Sequence, residues 1–393
     1  MAVKIVVFAH VPPPHHGQSA MVKLMLDGLE SGEYGEFEIH HVDARLSHSF
    51  EDIGTSGISK FFRAIKFAIA AIKCRVVSNV KTMYYIPAPP KVSAMVRDWI
   101  VLGLCRPFFP RLICHWHAVG LGGWTRLQKE SGSRLGRVSG FLNRAFLRRH
   151  AASFSLTQWG KHDSAAFSPK KTFIVPNGIS DPCPDFEEAV FENRMKRLEQ
   201  FNEANEELVY EVGYLGHCHA GKGLWDAMSA VVRANEILAE SKGRVRLKLT
   251  VAGEFPGHED KDRFEKLKSE IGEDFVDYIG FIGGKEKREF FLRADCLCFP
   301  TKYEAESFGL VAVEALAFGI PPVCSDWRML PDLIGSIGLP VAETGNVQSL
   351  AEQLIASIGR DRPENLRKAF CENFSAHCHL QILADAIRKV GNE

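Results

Sequence analysis

The sequence predicts an α/β protein built from two doubly wound parallel-sheet domains. Short apolar runs alternate with amphipathic helical stretches along the chain, which is typical of βαβ units. Two such series occur, and residues 177–207 separate them with Pro182, Pro184 and a charged segment. At 393 residues the chain is long enough to form two hydrophobic cores.

The strands of each series follow from the apolar runs. In the first series we expect strands near residues 3–9, 36–42, 82–86, 111–115, 152–156 and 172–175. In the second series we expect them near residues 209–215, 246–252, 276–281, 295–299 and 320–324. The predicted domains are residues 1–180 and 181–374, and residues 375–390 are predicted to form a last helix.

Composition excludes several classes of protein. Lysine plus arginine and aspartate plus glutamate each number 48, so there is no overall attraction to nucleic acid. The ten cysteines are scattered through mostly apolar segments without a Cys-x-x-Cys pair, which favours reduced thiols in the cytoplasm. No apolar run approaches the roughly twenty residues that span a bilayer, and the first apolar run resembles a strand, so we expect a soluble or peripheral protein.

Two glycine-containing loops are candidates for binding phosphate. The first follows the first strand, and Gly17 there leads into a helix without the Gly-x-Gly-x-x-Gly pattern of dinucleotide oxidoreductases. The second contains Gly216-x4-Gly221-Lys222, but Gly223 stands where a phosphate loop needs a magnesium-binding hydroxyl. What remains is a cation beside backbone N–H groups, which suits a diphosphate held without a metal. Zinc at the adjacent His217–His219 triplet would need two further ligands.

A pair of carboxylates lies in the segment from residue 296 to 326. We expect a helix capped by Ser307, with Phe308, Gly309 and Leu310 in its first turn. Glu306 would lie just before this helix and Glu314 about two turns inside it, roughly 12 Å further along the axis. Free N–H groups at the helix start would attract an anion. The alternative is a capped helix with one exposed glutamate and one in a buried salt bridge.

Three further stretches each have two interpretations. His115 and His117 share one face at the end of a strand, where a ligand binds in open α/β sheets, although paired histidines on a strand also pack structurally and a metal would need a third ligand. Residues 59–77 and 133–150 interleave apolar and basic side chains. Each of these two would suit either an anionic membrane surface or an ordinary helix whose cations are solvated.

Glu306-x7-Glu314, followed by Ala-Leu-Ala-Phe-Gly-Ile-Pro, resembles the signature of family 4 retaining glycosyltransferases. The resemblance extends to Pro300-Thr301 and to residues 330–334, and is strongest from Tyr214 to Ile334. It implies the GT-B fold, in which two Rossmann-like domains face a central cleft and the last helix, here residues 375–393, returns to the N-terminal domain. That domain would bind the acceptor and residues 181–374 the nucleotide-sugar donor. The chain departs from many family members in having His217 or Cys218 where they have arginine, and His16 where they have glycine.

The resemblance also implies roles for individual residues. Catalytic roles fall to Glu306, His117 and Lys222, with His117 contacting the donor sugar and Lys222 the diphosphate. The donor-binding positions implied by the resemblance are Gly17, Lys222, Glu254, Phe281, Glu306, Phe308, Gly309, Leu310 and Glu314. No metal or other cofactor is expected.

The implied activity is retaining transfer of a sugar from a UDP- or GDP-sugar to a hydroxyl of a glycan or lipid-linked acceptor, in cell-surface polysaccharide synthesis. A sugar-nucleotide epimerase, a non-catalytic nucleotide-sugar binding protein and a phosphate-loop hydrolase remain alternatives. The expected partners are the donor, the acceptor and, as a candidate, an anionic membrane surface, without nucleic acid. The sequence leaves the base, sugar, acceptor and linkage open.

Overall fold

The computed structural model describes residues 2–13, 17–45, 58–130, 133–203, 206–241, 243–272, 274–360 and 362–391. The chain divides into two compact units, one formed by residues 1–178 with 376–393 and the other by residues 179–375. Each unit contains a six-stranded parallel sheet with helices on both faces, so the prediction of two Rossmann-like domains is confirmed.

The first unit alternates strands and helices from its amino terminus. Its strands are β1 (Val3–Ala9), β2 (Phe37–Asp43), β3 (Thr82–Tyr85), β4 (Arg111–Trp116), β5 (Ala152–Ser155) and β6 (Lys171–Ile174). Its helices are α1 (Gly17–Glu30), α2 (Ile58–Val77), α3 (Val92–Cys105), α4 (Leu121–Glu130), α5 (Arg134–Leu147) and α6 (Gln158–Ser164). The strand order is β2-β1-β3-β4-β5-β6.

The second unit repeats this pattern after a helix that precedes its first strand. Its strands are β7 (Leu208–Leu215), β8 (Val245–Ala252), β9 (Val276–Tyr278), β10 (Cys296–Phe299), β11 (Pro322–Ser325) and β12 (Val341–Ala342). Its helices are α7 (Phe191–Asn202), α8 (Leu224–Glu240), α9 (His258–Ile271), α10 (Gly284–Arg293), α11 (Leu310–Ala317), α12 (Leu330–Gly335), α13 (Val347–Ser357) and α14 (Pro363–Asn373). The last helix of the chain, α15 (Ala376–Gly391), belongs to the first unit.

Two strand predictions need correction in the second unit. Its strand order is β12-β11-β10-β7-β8-β9, and the edge strand β12, with only two residues, was not predicted because so short a run has no periodicity. β9 ends at Tyr278 instead of Phe281, because Gly280 takes a positive φ of 76° that turns the chain away from the sheet.

Both faces of the first sheet are covered. On one face, Val6, Phe8 and their neighbours pack under α2 and α3. On the other face, Val3 and Ile5 pack with α1 and with the apolar face of α15. His379 of α15 donates from Nδ1 to the carbonyl of Pro176 at 2.6 Å, and burial lowers the pKa of its imidazole to about 4.

Arginines on α7 attach this helix to the second sheet. The Arg194 guanidinium donates to the carbonyls of Ala294 at 2.6 Å and Phe291 at 2.5 Å, and burial lowers its pKa to about 10. Arg197 donates twice to Asp295, at 2.9 Å to each carboxylate oxygen. The Asp295 side chain is only 4% exposed, so Arg197 neutralises a buried charge at the start of β10.

Among the described residues, no helix is both long enough and apolar enough to cross a bilayer. Each of the ten cysteines is a free thiol, and seven of them are buried.

Candidate functional site

Three loops of the second unit interlock at the carboxyl edge of its sheet. They follow β7, β8 and β10. The strand order changes direction between β7 and β10, and open α/β sheets bind ligands at such a point. The N–H of Cys218 donates to the Glu254 carbonyl at 2.8 Å, and the N–H of Lys302 donates to the Gly221 carbonyl at 2.9 Å. These backbone hydrogen bonds join the β7 loop to both of its neighbours.

Two glycines permit this close approach. A Cβ on Gly223 would lie 2.0 Å from the Pro300 carbonyl oxygen, and a Cβ on Gly253 would lie 1.8 Å from the Gly216 carbonyl oxygen. Both residues also have positive φ, 77° for Gly223 and 146° for Gly253. Any larger residue at either position would force the loops apart.

Lys222 and Glu306 meet above these loops. Lys222 ends a short 3-10 turn, and its Nζ lies 2.6 Å from Glu306 Oε2. The two side chains are 18% and 11% exposed, and the ammonium also lies 5.0 Å from the centre of the Tyr303 ring. The structure therefore places in direct contact the cation and the carboxylate that the sequence assigned to one site.

The predicted start of the following helix was wrong. The helix begins at Leu310 instead of near Ser307, because Gly309 takes a φ of 80° that helical residues do not adopt. The N–H of Gly309 donates to Glu306 Oε1 at 3.2 Å, so the Glu306 carboxylate takes the place expected for the Ser307 hydroxyl. The Phe308 side chain lies outside the first turn and packs in the core, with its ring 6.2 Å from that of Phe374.

Glu306 therefore uses one carboxylate oxygen on a lysine and the other on a backbone N–H next to the amino end of α11. The positive end of the helix dipole and the N–H groups of the first turn favour negative charge at this point. Chemically, the carboxylate occupies a position suited to an anion, and an anionic ligand would have to compete with it.

Glu314 has a partner that the sequence did not identify. Its Oε1 lies 2.6 Å from Nζ of Lys287 on α10, and the two side chains are 19% and 34% exposed. Lys287 lies in the run Lys285 to Arg288, which has the composition of a solvated surface. Glu314 is thus held in a partly buried salt bridge, for which its apolar surroundings were the available signal.

Phe281 and Glu254 line two separate depressions. Phe281 is 71% exposed and borders a cavity of about 270 Å³ with Ile279, Glu286 and Arg293. Glu254 borders a depression of about 430 Å³ with residues 255–258, Lys261 and Tyr278. The Lys222–Glu306 pair is not among the residues that line either depression.

The remaining predicted site residues lie in the first unit. Gly17 is exposed at the start of α1, and the preceding residues 14–16, including His16, lie outside the described part of the chain. His117 follows β4 and is buried, with its ring centre 4.2 Å from that of His115. His115 Nδ1 lies 2.5 Å from the Tyr84 hydroxyl, and burial lowers the pKa of its imidazole well below the usual range. A neutral, hydrogen-bonded His115 therefore packs against the His117 ring.

Within the described residues, no group of three or more histidine, cysteine, aspartate or glutamate side chains is arranged to hold a metal ion.

Comparison with known proteins points to one family for the second unit. Residues 197–374 match the family model described as glycosyl transferases group 1. The chain is 29% identical over 118 residues to the O-antigen chain mannosyltransferase B of Escherichia coli, covering 30% of each protein. It is 36% identical over 104 residues to the phosphatidyl-myo-inositol mannosyltransferase of Mycobacterium leprae, covering 25% of this chain and 26% of that protein. The matched region thus spans less than a third of these curated relatives.

Among solved structures, the fold is similar to that of an Anabaena protein in complex with UDP-glucose. The TM-score is 0.60 at 15% identity, and the alignment covers 98% of this chain and 99% of that one. The similarity extends over both units, which confirms the predicted fold class.

Proposed function

We propose that the protein transfers a sugar from a nucleoside diphosphate sugar to an acceptor hydroxyl, because residues 197–374 match the family model of the group 1 glycosyl transferases. The observation that carries this proposal is the Lys222–Glu306 pair at the amino end of α11. A lysine, a helix amino terminus and a glycine that admits close approach suit a diphosphate, and the adjacent carboxylate suits sugar hydroxyls.

Donor binding would exchange the partners of Lys222. The diphosphate would displace the Glu306 carboxylate from Nζ of Lys222 and from the N–H of Gly309, and the N–H groups of Phe308 and Leu310 would add further donors. The released Glu306 would then accept hydrogen bonds from the sugar. Glu314, held by Lys287, would accept from the ribose hydroxyls, as the family resemblance implies.

The bond that breaks joins the anomeric carbon to a diphosphate oxygen, which leaves with the electron pair. Lys222 and the helix amino end would stabilise that developing charge, with no divalent cation involved. The acceptor oxygen would bond to the anomeric carbon on the face that the diphosphate leaves, which retains the anomeric configuration. The acceptor proton would pass to the leaving phosphate oxygen.

The comparisons support a narrower set of substrates. Both curated relatives described above are named mannosyltransferases, so mannose is the first sugar to test. One of them is named for a lipid acceptor and the other for the O-antigen chain, which supports a glycan or lipid-linked acceptor and a role in polysaccharide synthesis. The UDP-glucose complex of the structural neighbour makes UDP-sugars the second class to test. The free cysteines support a cytoplasmic location.

The proposal is tested first by binding and then by turnover. Thermal-shift measurements with UDP, GDP, ADP and their sugars identify the base and the sugar. Mass spectrometry with acceptor then detects transfer, NMR assigns the anomeric configuration, and activity should survive EDTA. Turnover of the donor to an isomer without acceptor would instead identify an epimerase, and binding without turnover would identify a binding protein.

Variants test the assignment of residues to the site. We expect Lys222→Ala and Glu306→Ala each to lower donor turnover at least about 100-fold, since each removes a charged contact to the reacting group. Glu304→Ala, at an exposed position in the same loop, is the matched control and should keep full turnover. Full turnover in both site variants would contradict the assignment. His117→Ala tests the role that the resemblance gives to His117.

A further inference from the structure

One helical layer of the first unit carries an unusual outer surface. Helices α2, α3, α5 and α4 pack side by side in that order on one face of the sheet. Within the described part of the first unit, every exposed large apolar side chain lies on these helices or in the turn after α3. They are Phe61, Phe62, Ile69, Val76, Val77, Val96, Leu104, Phe108, Leu127, Leu135, Val138 and Phe141. We call this the outer helical surface.

The packing of α5 explains why it exposes apolar side chains. Its buried face consists mainly of small or polar residues, namely Gly136, Ser139, Gly140 and Asn143. Asn143 accepts a hydrogen bond from Trp99 Nε1 at 2.7 Å and donates to the Thr125 hydroxyl at 3.1 Å. A Cβ on Gly140 would lie 3.2 Å from Cβ of Gln128, so α4 and α5 approach closely at that point.

Three apolar side chains of α5 consequently face outward, whereas Leu147 at its end is buried. Leu135, Val138 and Phe141 are 66%, 54% and 64% exposed. This arrangement reverses the usual amphipathic pattern, in which such residues face the core. An ordinary solvated helix gains nothing from it, whereas a helix that contacts a second apolar phase does.

Basic residues accompany this apolar surface. Helix α2 contains five cations and no acidic residue, and α5 contains three arginines and no acidic residue. Arg148 and Arg149 follow directly and are exposed. Along α2 an exposed stripe alternates the two types as Phe62, Lys66, Ile69, Lys73 and Val76. The chain as a whole has a formal net charge of zero, so this excess of positive charge is local.

We propose that the outer helical surface binds an anionic lipid bilayer. The apolar side chains would enter the boundary between headgroups and acyl chains, and lysines and arginines would contact the lipid phosphates. A second copy of the chain is a poorer partner, because a two-fold interface through this surface would bring its own cations together. Binding through this surface does not depend on the donor, so the inference stands apart from the proposed sugar transfer.

Vesicle flotation of the full chain tests the proposal. The probes are vesicles of phosphatidylcholine with 30% phosphatidylglycerol and vesicles of phosphatidylcholine alone, at about 0.05 M and 0.5 M salt. We expect binding to the anionic vesicles at low salt, weakened by high salt, and little binding to the neutral ones. Arg134→Gln with Arg137→Gln should lower the partition coefficient about 25-fold, as roughly fivefold for each cation.

Matched variants separate surface chemistry from folding. Phe62→Ser with Phe141→Ser should lower partitioning at least tenfold, since both side chains are well exposed and their loss leaves the core intact. Lys266→Gln with Lys368→Gln, and separately Leu292→Ser, make the same changes at exposed positions of the second unit and should have no effect. Circular dichroism checks that each variant folds.

Three outcomes would overturn the proposal. They are failure to bind anionic vesicles at low salt, equal binding to neutral vesicles, and equal loss in the variants of the second unit. A concentration-dependent dimer in sedimentation velocity that Phe62→Ser with Phe141→Ser abolishes, without any vesicle binding, would assign the surface to a second copy instead.

Discussion

Replacing Glu306 by glutamine is expected to strengthen binding of the nucleoside diphosphate while weakening sugar transfer. The carboxylate holds Lys222 at 2.6 Å and accepts from the N–H of Gly309 at 3.2 Å, so a diphosphate must displace it from both groups. Glutamine keeps the size of the side chain and removes its charge. Lys222 then becomes available to the ligand at lower cost.

The size of the effect follows from the burial of the pair. Exposed ion pairs contribute about 0–1 kcal/mol, whereas breaking a fully buried one costs about 3–5 kcal/mol. At 18% and 11% exposure the Lys222–Glu306 pair lies between these limits, at about 2 kcal/mol. We therefore expect the Kd for the nucleoside diphosphate to fall roughly 10- to 30-fold in Glu306→Gln.

Isothermal titration calorimetry measures this change with whichever of UDP, GDP and ADP binds the native protein most tightly. Glu304→Gln removes a carboxylate from an exposed position of the same loop and should alter Kd less than about twofold at 0.15 M salt. Lys222→Met should weaken binding of the same ligand about 10-fold or more. A folded Glu306→Gln variant whose Kd is unchanged or higher would refute the proposed exchange of partners.

Three further predictions concern stability and are measured by urea unfolding. Gly309→Ala should lower the free energy of unfolding by about 1–3 kcal/mol, since φ is 80° and the new Cβ would lie 3.0 Å from a neighbouring leucine. The control Gly335→Ala places its Cβ in open space and should change the free energy of unfolding by less than about 1 kcal/mol. Arg197→Met leaves its buried aspartate unpaired and should cost about 3 kcal/mol, against under about 0.5 kcal/mol for Lys196→Met in an exposed pair. His379 has a pKa of about 4 when folded and about 6.5 when unfolded. Its stabilising contribution is therefore complete above pH 6.5 and is lost as pH falls toward 4. His379→Gln should reduce the pH dependence of the unfolding free energy between pH 5 and 6.5 by about 1 kcal/mol per pH unit, and an unchanged slope would contradict this.

The sequence was sufficient to predict most of the fold because buried parallel strands are continuous apolar runs. The prediction failed where the backbone conformation of a single glycine decided where a helix begins. The left-handed backbone at Gly309 moved the helix start from the expected Ser307 to Leu310. A glycine in a first turn and a glycine before it have the same sequence pattern, and only the surrounding contacts decide between them.

The residue types of the candidate site were predictable from the sequence, but the ion pairs that these residues form were less so. Lys222 and Glu306 are 84 residues apart, and their contact depends on how the loops after β7 and β10 interlock. Lys287 could not be identified as the partner of Glu314, because its charged neighbours suggest a solvated surface. Helix α5 shows a related limit, since the usual reading of its pattern would place Phe141 in the core, whereas Asn143 and Gly140 lie there instead.

The interlocked loops of the second unit have a consequence for how this protein would evolve. Main-chain hydrogen bonds and the crowded glycines at 223 and 253 join the loops into one stiff frame, on which the Tyr303 side chain is 41% exposed. Exchanging such side chains would alter which ligand is preferred while leaving the frame undisturbed. We expect preference among donors to diverge through a few outward-facing positions, with the glycines held constant.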